Sequence, residues 1–118
     1  MRPRVLIVDD DARFRALART LLEASGYTVA AEAANGQQAL AAARRVHPDA
    51  ALVDVQLPDT DGFALARDLA DANHGLRILL TSTDPTLARP AAMAASPALA
   101  FVAKDELAIT DLTPWLGS

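Results

Sequence analysis

Four short runs of branched aliphatic residues constrain this chain more than anything else in it: "VLIV" (5–8), "ALV" (51–53), "ILL" (78–80) and "FVA" (101–103). Each is too short for a core helix and is bounded by polar residues, the pattern of a strand buried on both faces. A fifth segment, "YTVAAE" (27–32), is weaker and more alternating, as an edge strand would be. Between these runs the apolar spacing changes to that of helices. Phe14, Leu17, Ala18, Leu21 and Leu22 fall on one helical face, closed by Gly26. Asn35-Gly36 opens a second helix that passes Leu40 and Ala43 to Val46 and is stopped by Pro48; Asp61 suits the N-cap of a third, burying Leu65, Ala66 and Leu69. Pro90 is incompatible with a helix interior, so a short or displaced element is predicted within 85–95. Thr110 is predicted to cap the last helix, with Pro114 in its first turn. Strand and helix alternate about five times, which implies a doubly wound α/β fold: a parallel sheet, right-handed crossovers and helices on both faces.

At 118 residues the chain is expected to be one domain with a single core. Its net charge of −4 and lack of a basic run argue against an electrostatic grip on nucleic acid or an anionic membrane. With no cysteine, disulfides and thiolate metal sites are excluded. The first apolar run meets three aspartates after four residues, too short for a signal peptide or a membrane span. A cytoplasmic protein is the default expectation.

In doubly wound folds the ligand site lies at the carboxyl ends of the strands. Asp9, Asp10 and Asp11 follow the first run, Asp54 the "ALV" run, Thr81, Ser82 and Thr83 the "ILL" run, and Lys104 the last. If the sheet order is 2-1-3-4-5, these strands are neighbours about 4.8 Å apart. Asp10 and Ser82 then flank Asp54, and the long stem of Lys104, the only lysine in the chain, can reach it. Clustered carboxylates repel unless a cation sits among them, and a hard divalent ion such as Mg²⁺ with oxygen ligands satisfies them. The hydroxyl and the ammonium suit phosphoryl oxygens. The site reads as one built to carry a phosphoryl group on Asp54.

From "VLIVDDD" to "FVAKDEL" the chain resembles the receiver domain of two-component response regulators. The sheet order assumed above is that family's, a flavodoxin-like five-stranded arrangement. The resemblance implies that Asp10 is a direct Mg²⁺ ligand, that Asp9 assists through water, and that the backbone carbonyl of Gln56 is a further ligand. Asp54 matches the phosphoacceptor, Pro58 and Gly62 the turn after the acceptor strand, and Lys104 the family's lysine. Ser82, 28 residues after Asp54 and 22 before Lys104, matches the switch hydroxyl better than Thr81. Phe101, three before Lys104, matches the aromatic switch position. The implied protein is a signalling module, not an enzyme with a separate substrate. It catalyses only its own phosphorylation by a sensor histidine kinase or phosphotransfer protein and its own dephosphorylation. It signals to a downstream protein by a shift of the face formed by the fourth helix, fifth strand and fifth helix. The resemblance also allows a phosphorylation-dependent homodimer.

The chain departs from the family at Thr83, where a small residue is common, and at Pro90, Pro97 and Ala100 on the output face. It ends soon after the last helix, so a stand-alone receiver without an output domain is expected, although "DVQLPDTDGFALA" also resembles receivers attached to helix-turn-helix regulators. Plainer roles compete for several residues. Asp11 serves as a helix N-cap, His47 and His74 lie on the surface, and Trp115 anchors the last helix to the core. Gln56 and Asp84 flank the site and are expected to tune the lifetime of the phosphoryl group. Two rival readings stand beside the receiver: a haloacid dehalogenase-like phosphatase with Asp9 as nucleophile in a D-x-D spacing, and a pseudo-receiver that binds a partner without phosphorylation.

Overall fold

The computed structural model describes residues 2–117. Ten elements alternate as read: β1 (Arg4–Val8), α1 (Ala12–Ala24), β2 (Thr28–Ala33), α2 (Gly36–Val46), β3 (Ala50–Asp54), α3 (Gly62–Ala72), β4 (Arg77–Ser82), α4 (Pro90–Ala94), β5 (Ala100–Ala103) and α5 (Thr113–Leu116). All five strands are parallel, in the order β2-β1-β3-β4-β5. The apolar runs supply the central strands β1, β3 and β4, which are buried nearly end to end because helices cover both faces.

Strand alternation splits the core in two. Val5, Ile7, Leu52, Leu79 and Val102 face α1 and α5, meeting Phe14, Ala18, Leu22 and Leu116. Leu6, Val8, Val53, Ile78 and Leu80 face α2 and α3, meeting Ala39, Ala43, Leu65, Ala66 and Leu69. Helices α1, α2 and α3 each begin on a side-chain cap: Asp11 accepts from the Arg13 N–H, Asn35 from Gln38 and Asp61 from Ala64.

Three local expectations need correction. Leu17 is 51% exposed, because the stripe that meets the sheet is centred on Phe14, Ala18 and Leu22 and Leu17 lies 100° round from Ala18. Strand β2 starts one residue later than predicted: Tyr27 is a buried residue whose hydroxyl donates to the Gly117 carbonyl at 2.7 Å. Thr110 does not cap the last helix. Residues Lys104–Ile109 form a 3-10 segment that ends at Thr110, and α5 is a single turn whose first N–H, from Thr113, donates to Asp111. Pro114 does fall in that first turn, and Trp115 packs against the core. As predicted, the Pro90 region is short: a 3-10 turn at Pro85–Leu87, then a five-residue α4 with Pro90 at its first position, where no N–H is needed.

Gly62 lets the loop after β3 fold back on its own strand. Its N–H donates to Val55 O at 2.7 Å, and a Cβ there would lie 2.5 Å from Asp54 O and 2.7 Å from Val55 Cα. Backbone cannot give way as a side chain can. Gly62→Ala is therefore expected to cost about 2 kcal/mol in urea unfolding; an unchanged midpoint would show that this approach is not close.

Candidate functional site

The carboxyl ends of β1, β3 and β5 converge on one ammonium. Lys104 Nζ lies 2.7 Å from Asp9 Oδ2 and donates to Asp54 Oδ2 at 3.2 Å. Nζ also lies over the Phe14 ring, 4.4 Å from its centroid, so α1 contributes a cation–π contact. The Lys104 side chain is 14% exposed, and Asp54 is 4% exposed.

Each carboxylate is held by a second bond. Asp54 Oδ1 accepts from the Gln56 N–H at 3.1 Å, and Asp9 Oδ1 accepts from the Asp11 N–H at 2.9 Å. Arg15, one turn into α1, donates to the Asp9 carbonyl at 2.6 Å and pairs with Glu32 of β2 at 3.1 Å. Asp9 is fully buried, whereas Asp10 is exposed at the mouth of the site. One carboxylate oxygen from each of Asp9, Asp10 and Asp54 lies within 4.8 Å of the other two. Three carboxylates against one ammonium leave an excess of negative charge among oxygen donors, and such a set fits a hard divalent cation.

The two buried hydroxyls divide between the faces of the sheet. The register sets Thr81, not Ser82, opposite Asp54. Thr81 thus shares the α1 face with Asp54; it is fully buried, and its Oγ1 has no hydrogen-bond partner among the described residues. Ser82, also fully buried, lies one residue further on the opposite face, where Leu80 is paired with Phe101. Its Oγ accepts from the Asp84 N–H at 3.1 Å. The half-buried Phe101 packs into the α2/α3-side core, so Ser82 and Phe101 share a face. Thr83, His47 and His74 are exposed. Asp84 is exposed as well; its carboxylate accepts from the Thr86 hydroxyl and N–H, which hold it below the usual carboxylate range.

Burial is the main force on the Asp54 carboxyl and pushes it above its ordinary value; the neighbouring Asp9 charge adds to this, while the Gln56 N–H and Lys104 oppose it. Burial also works to lower Lys104, but the Asp9 and Asp54 carboxylates outweigh it and hold the ammonium above its ordinary value.

Three features were not read from the sequence. Lys104 sits closer to Asp9 than to Asp54, Arg15 ties the Asp9 carbonyl to β2, and Asp59 bonds to α2. The first depends on side-chain rotamers; for the second, the signal was an arginine four residues after Asp11, beside Phe14 on α1.

The fold is that of a receiver domain, the Asp9, Asp10 and Asp54 cluster fits the phosphorylation site of such domains, and comparison with known proteins agrees. Residues 5–113 match the response regulator receiver domain family, and the chain belongs to that family. It is 34% identical over 82 residues to the chemotaxis protein CheY of Bacillus subtilis, covering 70% of this chain and 68% of CheY. It is 37% identical over 79 residues to the transcriptional regulatory protein ResD of the same species, covering 67% of this chain and 32% of ResD. A Pseudomonas aeruginosa protein is 38% identical over 104 residues, 87% of this chain and 50% of that protein, so the chain spans about half the length of that relative. The Vibrio cholerae chemotaxis protein CheY4 superposes with a TM-score of 0.82 at 27% identity, over 98% of this chain and 100% of CheY4. A LuxR-family two-component response regulator from Aurantimonas gives 0.81 at 30% identity, over 88% of this chain and 75% of that one. Membership of this family displaces the phosphatase reading of Asp9. Among the described residues no helix is long and apolar enough to cross a membrane.

Two outcomes follow from the charges. A carboxyl whose folded value is raised costs stability once it ionises, and that cost grows as pH rises above the ordinary value of 3.8. In metal-free buffer Asp54→Asn should therefore raise the urea midpoint at pH 7, with the gain fading as pH falls back toward 3.8; a lower midpoint at pH 7 would contradict this balance. Lys104→Ala leaves two buried carboxylates without their cation and should cost about 3 kcal/mol at pH 7, measured in the same way.

Proposed function

We propose that this receiver domain accepts a phosphoryl group on Asp54 from a phosphohistidine of a sensor histidine kinase or phosphotransfer protein in the cytoplasm. The observation that carries the reading is the buried Asp54 carboxylate held between the Gln56 N–H and the Lys104 ammonium, with Asp9 and Asp10 beside it. A carboxylate oxygen of Asp54 attacks phosphorus; the new P–O bond forms as the P–N bond breaks, and the imidazole nitrogen leaves with the electron pair. Asp10, Asp54 and the Gln56 carbonyl, with Asp9 through water, would hold Mg²⁺, which would neutralise charge on the phosphoryl oxygens.

Lys104 orients the acceptor oxygen before transfer and pairs with the phosphoryl group after it. Ser82 exchanges its bond from the Asp84 N–H for a bond that it donates to a phosphoryl oxygen. That movement leaves room behind Ser82 on the face it shares with Phe101, and the ring shifts inward to fill it. The result is a change of population between two packings, read by a downstream protein at the face formed by α4, β5 and α5. That face is built from short elements here, with a five-residue α4 and a four-residue β5. The domain acts through protein contacts, without direct nucleic-acid or membrane binding, and its phosphorylated form is a candidate homodimer.

Incubation with Mg²⁺ and acetyl phosphate, followed by intact mass measurement, tests the assignment. The expected result is a gain of one phosphoryl group that disappears in Asp54→Asn and when Mg²⁺ is withheld. A label retained by Asp54→Asn would move the acceptor elsewhere, and an unlabelled wild type under a range of donors would favour the pseudo-receiver.

A further inference from the structure

The loop between β3 and α3 carries two carboxylates besides the turn proline: Asp61 caps α3, and the other turns away from the site toward α2. Asp59, five residues after Asp54, reaches across to the start of α2, where Oδ1 accepts from the Gly36 N–H at 2.8 Å and Oδ2 from the Gln37 N–H at 3.1 Å. The N-cap Asn35 takes the next N–H, that of Gln38 at 2.8 Å. The first-turn donors of α2 are thus divided between its own cap and a carboxylate from another element. These two bonds are also what hold Asp59 below the usual carboxylate range.

The approach depends on a missing side chain. A Cβ on Gly36 would lie 2.6 Å from Thr60 Cγ2 and 3.3 Å from Asp59 Oδ1, so the loop closes on α2 only because position 36 is glycine. At its other end the same loop is pinned to the acceptor strand by Gly62, whose N–H bonds Val55 O. Gln56 lies between Val55, the hydrogen-bond partner of Gly62, and Asp59. Its N–H bonds Asp54, and its carbonyl is left outside the Gly62 to Val55 bond that closes the turn.

From this geometry we infer that Asp59 is a positioning residue for the metal and phosphoryl site: by clamping the loop to the first turn of α2, it fixes where the Gln56 backbone stands relative to Asp54. The inference rests on the Mg²⁺ assignment proposed above. It makes α2 part of the site's support, although no residue of α2 contributes a ligand. An outer support of this kind is worth about tenfold or more in metal affinity.

Mg²⁺ titration of the unphosphorylated protein, followed by backbone amide shifts, tests it with three variants. Asp59→Asn keeps the shape of the side chain and loses its charge. Asp59→Ala loses both acceptors. Gly36→Ala leaves every charge in place, favours the helix locally and pushes on Thr60. Each is expected to weaken Mg²⁺ binding about tenfold and to shift the Gln56 amide before metal is added, while the amide spectrum of the sheet stays that of the wild type. Gly36→Ala separates loop position from simple loss of a negative charge near the ion. Wild-type affinity in Asp59→Ala and Gly36→Ala would overturn the inference and leave the metal assignment standing. A wild type that binds no Mg²⁺ would overturn both.

Discussion

The arrangement of this domain turns on one ammonium group shared by two buried carboxylates. Lys104 is the only lysine in the chain, and it arrives from the end of an edge strand to meet Asp9 from β1 and Asp54 from β3. Either carboxylate left alone in that setting would be costly to ionise. The cation between them offsets part of their charge, and the remaining excess of negative charge, extended by Asp10, invites a divalent ion. The parallel sheet makes the meeting possible by ending all of its strands at one edge. The α1 helix lends two further supports: the Phe14 ring beneath the ammonium and Arg15 on the Asp9 carbonyl.

The acidic loop after β3 shows how like charges can sit close together in sequence without opposing one another. Asp54 turns into the site, Asp59 meets the N–H groups of α2, and Asp61 caps α3. Each is matched to a donor of its own, and two of the three donor sets are helix N-termini, where negative charge is favoured. The loop is consequently tied to two helices and a strand within eight residues of Asp54. The segment beside Asp54 is thus held by bonds that lie mostly outside the site.

How much of this was legible in the sequence follows physical lines. The central strands could be read because a strand buried on both faces must be apolar throughout, and the caps Asp11, Asn35 and Asp61 because side chains that satisfy helix N–H groups are few in kind. Strand order set Asp10 beside Asp54 with Lys104 in reach; in the structure Asp10 is exposed, and the buried carboxylate that meets the ammonium with Asp54 is Asp9. Strand spacing alone does not say which oxygen an ammonium will choose, so the closer pairing with Asp9 appeared only in three dimensions. The end of the chain was misread because Thr110 looks like a cap, yet a 3-10 segment takes up the residues before it and the helix shrinks to one turn at Thr113. Leu17 was misplaced because helical period marks a face without marking how wide a stripe the sheet will cover. The hydroxyls were hardest of all: counting favoured Ser82, while the register puts Thr81 directly beside Asp54 and Ser82 on the face of Phe101.

The distance in sequence between the paired charges also bears on how the domain is made. Lys104 is 50 residues downstream of Asp54 and farther still from Asp9. A chain growing from its N-terminus completes β1, β2 and β3 well before β5 exists, so the early sheet carries its two inward carboxylates with no cation to meet them. The charges of the site thus tie its completion to the final strand of the sheet: until β5 is in place, Asp9 and Asp54 lack the cation they share in the folded domain.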